Sequence, residues 1–134
     1  MTNRNLDRHD IVSLICIACN TEQGQSMKVG DFYDHIMRFN SDIVYSTMDD
    51  MFESFIGTDL AVYHNMNIDI TLTEKGRKIA WQELSNLVKY RSLVHYIAND
   101  YHELSYEKAQ WQRDDWKKRC NKLINELETE NENL

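Results

Sequence analysis

Proline is absent from all 134 residues, and glycine occurs only four times. A chain so poor in the two residues that punctuate turns disfavours a loop-rich β-sandwich and permits long helices. No apolar run approaches the roughly 18 residues needed to span a bilayer, and the opening MTNRNLDRHD has no apolar signal core. These gaps predict a soluble, cytoplasmic protein that does not enter a membrane. Cysteine is scarce and odd in number, with three residues, so no disulfide framework is expected in a reduced compartment. What remains is a globular composition, 42% hydrophobic and 10% aromatic, long enough for one domain plus an appendage. Only the end, Glu126 to Leu134, reads as a polar tail.

The formal net charge is −7, and its distribution says more than its total. Residues 1–72 hold four basic side chains, Arg4, Arg8, Lys28 and Arg38, against eleven acidic ones, while residues 73–134 hold eleven of each. All the excess negative charge therefore lies in the first half. The second half is locally polarised, with Arg113, Lys117, Lys118, Arg119 and Lys122 followed by Glu126, Glu128, Glu130 and Glu132.

Along the chain, HDIVSLICIAC is a nearly continuous apolar run that suits a buried helix over about Asp7 to Asn20. The segment TEQGQS breaks it. Val29, Phe32, Ile36 and Phe39 then fall on one face of a second helix, about Gly30 to Phe39. Asn40 or Ser41 is expected to cap a third helix with Asp42 in its first turn, and apolar residues keep helical spacing from Ile43 to Phe55 until Gly57. After Gly57 the period changes to two: Leu60 and Val62, then Ile68, Ile70 and Leu72, predict a half-buried hairpin with its tip at Tyr63 to Asn67. Thr73 is placed to cap a long helix starting at Glu74.

Three helices, a hairpin and a long helix form the order of a winged helix-turn-helix. Its most specific string is Ile70-Thr71-Leu72-Thr73-Glu74-Lys75-Gly76-Arg77, which resembles the Y-x-L-T-x-x-G-R signature that closes the wing in PadR-like and related bacterial regulators. The resemblance implies a mainly α fold with a small β-hairpin, a winged-helix domain over residues 1–80 and a C-terminal helical dimerisation region over 81–134. It also implies a DNA-binding transcriptional regulator, with the third helix near the major groove and the wing on the flanking backbone. By that analogy Asn40, Ser41, Tyr45, Ser46, Thr47, His64 and Asn65 are the DNA-contacting candidates, and Lys75, Arg77 and Lys78 reach phosphate. The chain departs from the pattern in its third helix, which holds Asp42, Asp49, Asp50 and Glu53 and no positive charge. Carboxylates facing a phosphate backbone repel it. The alternative use of these four acids is a protein interface that docks on a basic partner, as an inhibitor or adaptor of phage or mobile-element type would.

In the C-terminal region Leu87, Tyr90, Val94, Ile97, Tyr101 and Leu104 recur at the spacing of a coiled-coil seam. A second series that includes Trp116, Cys120, Leu123 and Leu127 is out of phase with it, so a kink, a stutter or a new helix capped by Asp100 or Ser105 is required between them. An amphipathic helix from about 106 to 131 has no evident surface to cover it except a neighbour, which predicts a coiled-coil homodimer.

Cys16-Ile17-Ala18-Cys19 has the C-x-x-C spacing of thiol switches and half metal sites. No second closely spaced Cys/His pair completes four ligands, so two buried thiols inside the first helix are the favoured reading. The five histidines are scattered, and His95 and His102 share a helical face at most. With no nucleophile–base pair, no phosphate loop and no cofactor motif, the expectation is a non-enzyme without cofactor or metal.

Overall fold

The computed structural model describes residues 6–39, 42–90, 118–125 and 127–129. It comprises α1 (Arg8–Asn20), β1 (Ser26–Lys28), α2 (Val29–Phe39), α3 (Tyr45–Glu53), β2 (Ala61–His64), β3 (Asp69–Leu72) and α4 (Glu74–Tyr90). Residues 118–125 and 127–129 are helical as well. The fold is a small, mainly helical domain carrying a three-stranded antiparallel sheet in the order β1-β3-β2.

α1 starts where the sequence requires it. The Asp7 carboxylate accepts from the Asp10 amide at 2.9 Å, and the Asp10 carboxylate accepts from the Asp7 amide at 3.1 Å, so two otherwise free donors are satisfied reciprocally. From Val12 to Cys19 every residue of α1 is buried, which makes it the central rod of the core. Around it lie Phe32 and Ile36 of α2, Met48, Met51 and Phe52 of α3, Ile70 and Leu72 of β3, and Ala80 and Leu84 of α4. The boundary expected at residue 80 falls inside α4, whose Leu84 belongs to this same core.

The sheet departs from the expected hairpin. β1 begins at the last residue of the TEQGQS break and runs through Met27 and Lys28, for which no strand was expected, pairing Met27 with Ile70 across β3. Three residues carry no alternation of their own, and a strand this short exists because β3 offers it a ladder. The hairpin tip is tighter than expected: β2 continues through His64, leaving Asn65 to Ile68 to turn the chain, with positive φ at Asn65, Met66 and Asn67 (53°, 60° and 66°). Asparagine tolerates that conformation through local hydrogen bonding, and Asn65 donates to Asp69 here. Met66 has no such compensation and stands 95% exposed.

α3 begins later than expected. Its N-cap is Val44, without a side-chain hydrogen bond, and Asp42 sits in the preceding turn. Capping by Asn40 or Ser41 is therefore corrected: with the helix starting at Tyr45, both residues lie too far upstream, and their own placement is outside the described residues. Of the expected apolar series, Ile43 packs partly buried against the core from before the helix, Val44 is 58% exposed, and full burial within α3 begins at Met48. β2 is tied to the end of α3 by Tyr63, whose hydroxyl donates to the Phe52 carbonyl and accepts from the Phe55 amide at 3.3 Å.

The string Thr73-Glu74-Lys75-Gly76-Arg77 is a joint between sheet and helices. Thr73 Oγ1 accepts from the Gly76 amide at 3.0 Å, capping α4 as expected, and donates to the Asp59 carbonyl at 2.7 Å. The Thr73 amide donates to the Leu60 carbonyl at 3.0 Å. Gly76 faces the same carbonyl so closely that a Cβ there would overlap its oxygen, and only glycine allows the approach. Arg77 is only 3% exposed and its guanidinium donates to Thr21, the residue that ends α1.

The C-terminal seam is corrected in part. Cys120, Leu123 and Leu127 are buried in the core of their own chain, where Cys19 Sγ stands 3.8 Å from Cys120 Sγ. Arg119 donates to Asn20, and Lys122 pairs with Glu22 at 3.1 Å. A periodic apolar stripe announces that a face will be covered, and here the core of the same chain covers it, with Cys120 against Cys19 of α1. The side chains of Leu87 and Tyr90, and all of Val94, Ile97, Tyr101, Leu104 and Trp116, lie outside the described residues, as do Asp100 and Ser105.

Candidate recognition surface

α3 turns Met48, Met51 and Phe52 inward, so Tyr45, Ser46, Asp49, Asp50 and Glu53 are left facing outward. Tyr45 is 62% exposed and its ring lies 5.8 Å from that of Tyr33 on α2, which holds the aromatic side chain at the helix start. Thr47 is half-buried between the two faces. The rest of the outward face is three carboxylates with no cation in the last turn. Helix stability does not account for that placement, because acidic groups in the C-terminal half oppose the helix dipole.

The same sign continues onto neighbouring elements. Asp31 and Asp34 are exposed on α2, and Asp42 is exposed in the turn before α3. Between the start of α1 and α3 lies a cleft of about 440 Å³ lined by Asp7, His9, Asp10, Thr47 and Asp50 among others. Asp7 and Asp10 were not singled out from sequence as part of this surface. Their capping-box pairing was the available signal, since it fixes where α1 begins and hence where both carboxylates stand.

The cationic candidates are held elsewhere. Arg77, expected to reach phosphate, is corrected: its guanidinium is buried, with Nη2 donating to the Thr21 carbonyl at 2.7 Å. Desolvated and tied to a helix end, it has no outward reach. Lys75 donates to Asp59 at 2.7 Å, and that bond, more than the simple attraction of the ammonium, holds the Asp59 carboxyl below the usual aspartate range. Lys78 pairs with Glu74 one turn earlier at 3.3 Å. Both pairs are solvent-exposed and easily exchanged, so the two lysines stay available to a stronger anion.

On the hairpin, His64 Nε2 sits 3.2 Å from Thr71 Oγ1 on the exposed side of the sheet, and Asn65 is exposed beside it. The sequence candidates thus separate into groups. Tyr45, Ser46, Asp49, Asp50 and Glu53 share the outward face of α3, whereas His64 and Asn65 belong to the hairpin, and Lys75 and Lys78 to the exposed start of α4.

Cys16, Cys19 and Cys120 are all buried free thiols. Burial pushes the Cys16 thiol far up, with the neighbouring Cys19 adding to the effect, and a hydrogen bond with Cys19 followed by burial raises Cys120. Among the described residues no group of three or more His, Cys, Asp or Glu side chains is arranged to hold a metal ion. Among them, too, no helix is long and apolar enough to cross a membrane. The sequence matches no protein-family model, no curated protein and no solved structure.

Proposed function

We propose that this chain is a winged-helix recognition module whose α3 face binds a basic protein surface. The order α1-β1-α2-α3-β2-β3 with a β1-β3-β2 sheet supports the winged-helix reading, because a short first strand completing the wing's hairpin belongs to that arrangement. The observation that carries the choice of ligand is the outward face of α3, where Asp49, Asp50 and Glu53 stand exposed and no lysine or arginine accompanies them. A protein surface rich in lysine and arginine complements such a face, while a phosphate backbone repels it.

A second reading, a DNA-binding transcriptional regulator, draws on the same fold and on the exposed polar start of α3 at Tyr45 and Ser46. An aspartate facing the major groove accepts from cytosine N4, so acids alone do not forbid base readout. Phosphate contacts would then fall to Lys75, Lys78 and the hairpin. In either reading a homodimer through Leu87, Tyr90, Val94, Ile97, Tyr101 and Leu104 is proposed on their heptad spacing.

The two ligands are separated by the variant Asp49→Asn/Asp50→Asn/Glu53→Gln. Affinity purification with wild-type and variant protein as bait should show a basic partner retained by the first and lost by the second. Duplex DNA bound equally or better by the variant, with no protein lost, would favour the regulator instead.

A further inference from the structure

Among the described residues, side-chain contacts join the C-terminal helical residues to α1 and the turn after it, and one of them is chemically unlike the others. Arg119 with Asn20 and Lys122 with Glu22 are polar contacts near the surface, whereas Cys19 and Cys120 meet thiol to thiol in the core. Their sulfurs stand 3.8 Å apart, which is van der Waals contact, and a disulfide needs about 2.05 Å. The remaining approach is within reach of side-chain rotation and a small shift of the helix. The two residues are 101 positions apart, so a bond between them closes most of the chain into one loop. Cys16, on the same helix one turn before Cys19, is fully buried and marks the alternative partner.

We propose that Cys19 and Cys120 form an oxidative modification site, a disulfide that fastens the C-terminal helical residues to α1. The step is a two-electron oxidation by a small peroxide. Cys19 or Cys120, as thiolate, attacks one peroxide oxygen to give a sulfenic acid and release water or hydroxide. The other thiolate attacks the sulfenic sulfur, forming the S–S bond and expelling the second oxygen as water after protonation. Overall two thiols and one hydrogen peroxide give one disulfide and two water molecules.

Access sets the rate. Both sulfurs are buried, and the raised pKa of Cys120 keeps the thiolate scarce at neutral pH. Oxidation is therefore slow in the closed state and speeds up as pH rises or as the C-terminal residues lift off α1. Once formed, the bond removes the freedom of a long loop from the unfolded chain, which stabilises the fold.

The test uses the reduced full-length chain treated with hydrogen peroxide, blocked with an alkylating reagent, and digested without reductant for mass spectrometry. The expected product links the Cys19 and Cys120 peptides within one molecule, survives in Cys16→Ala, and is absent in Cys19→Ala and Cys120→Ala. Its melting temperature should rise by about 10 °C over the reduced chain, reversed by dithiothreitol. A bond between Cys16 and Cys19, or only intermolecular products, would overturn the assignment. So would a folded chain in which Cys19 and Cys120 stay unlinked after prolonged exposure to peroxide at raised pH, where the thiolates are populated. Should an alanine variant fold poorly, peptide mapping of the oxidised wild-type chain decides the question alone.

Discussion

Arg77 Nη2 donates to the backbone carbonyl of Thr21 at 2.7 Å, joining the first turn of α4 to the residue where α1 ends. A helix leaves its last carbonyls without intrahelical donors, and the guanidinium supplies one at the Thr21 carbonyl while its Nη1 donates to the Thr21 hydroxyl at 3.4 Å. The arginine in the T-E-K-G-R string is thus part of the scaffold. Arg77→Met keeps much of the side-chain volume and leaves the half-buried Thr21 carbonyl without its donor, so it should destabilise by about 1–2 kcal/mol in urea unfolding. Ligand binding by the folded fraction should stay unchanged, and a stable variant with lost binding would return Arg77 to the recognition surface.

Gly76 is fixed by the Leu60 carbonyl, which already accepts from the Thr73 amide at 3.0 Å. Gly76→Ala should lower stability by about 1–3 kcal/mol through overpacking, against the usual gain of alanine over glycine inside a helix. A stabilised variant would mean that the sheet and α4 do not approach as closely as described.

At the hairpin tip, Met66 occupies the left-handed region with its side chain in solvent. Met66→Gly relieves that conformation and removes no buried contact, so thermal unfolding should show a gain of about 0.5–1 kcal/mol. A loss would indicate that the side chain is covered by something in solution.

The Asp59–Lys75 pair gives a pH dependence of known sign. A carboxyl whose pKa is lowered by folding contributes stability above its unfolded value of about 3.9, and loses that contribution as pH falls through the lowered value. The melting-temperature difference between wild type and Asp59→Asn should therefore be positive but small at pH 7, since the pair is exposed, and shrink below about pH 4. A difference that grows on acidification contradicts the pairing.

Replacing the α3 acids removes like charges from a helix whose C-terminal half disfavours them. Asp49→Asn/Asp50→Asn/Glu53→Gln should unfold within about 0.5 kcal/mol of wild type while losing the partner. A large destabilisation would make these residues structural and would withdraw them from the recognition surface.

Sequence pattern disclosed the elements whose signal is local. The HDIVSLICIAC run over His9–Cys19 pointed to α1, the three-and-four spacing from Val29 to Phe39 to α2, and Thr73 to the start of α4. β1 was hidden because Ser26–Lys28 becomes a strand only through its partner β3. The start of α3 was misplaced because Asn40 and Ser41 have capping chemistry, whereas Val44, which takes the position, has none. Arg77 was assigned to phosphate by the winged-helix analogy and its place at the start of α4, and only the distant end of α1 explains its burial. Cys120, Leu123 and Leu127 were legible as an apolar stripe, but a stripe does not name what covers it. The acidic character of α3 was fully legible, since charge is a property of composition, and the fold added which acids face outward.

The most direct test of the central claim is a fluorescence anisotropy titration of a labelled random-sequence DNA duplex with the full chain at about 50 mM and 200 mM salt. An acidic α3 face predicts no saturable binding at either concentration. Saturable binding at the lower salt that weakens steeply at the higher would place phosphate on this protein and contradict the protein-docking account.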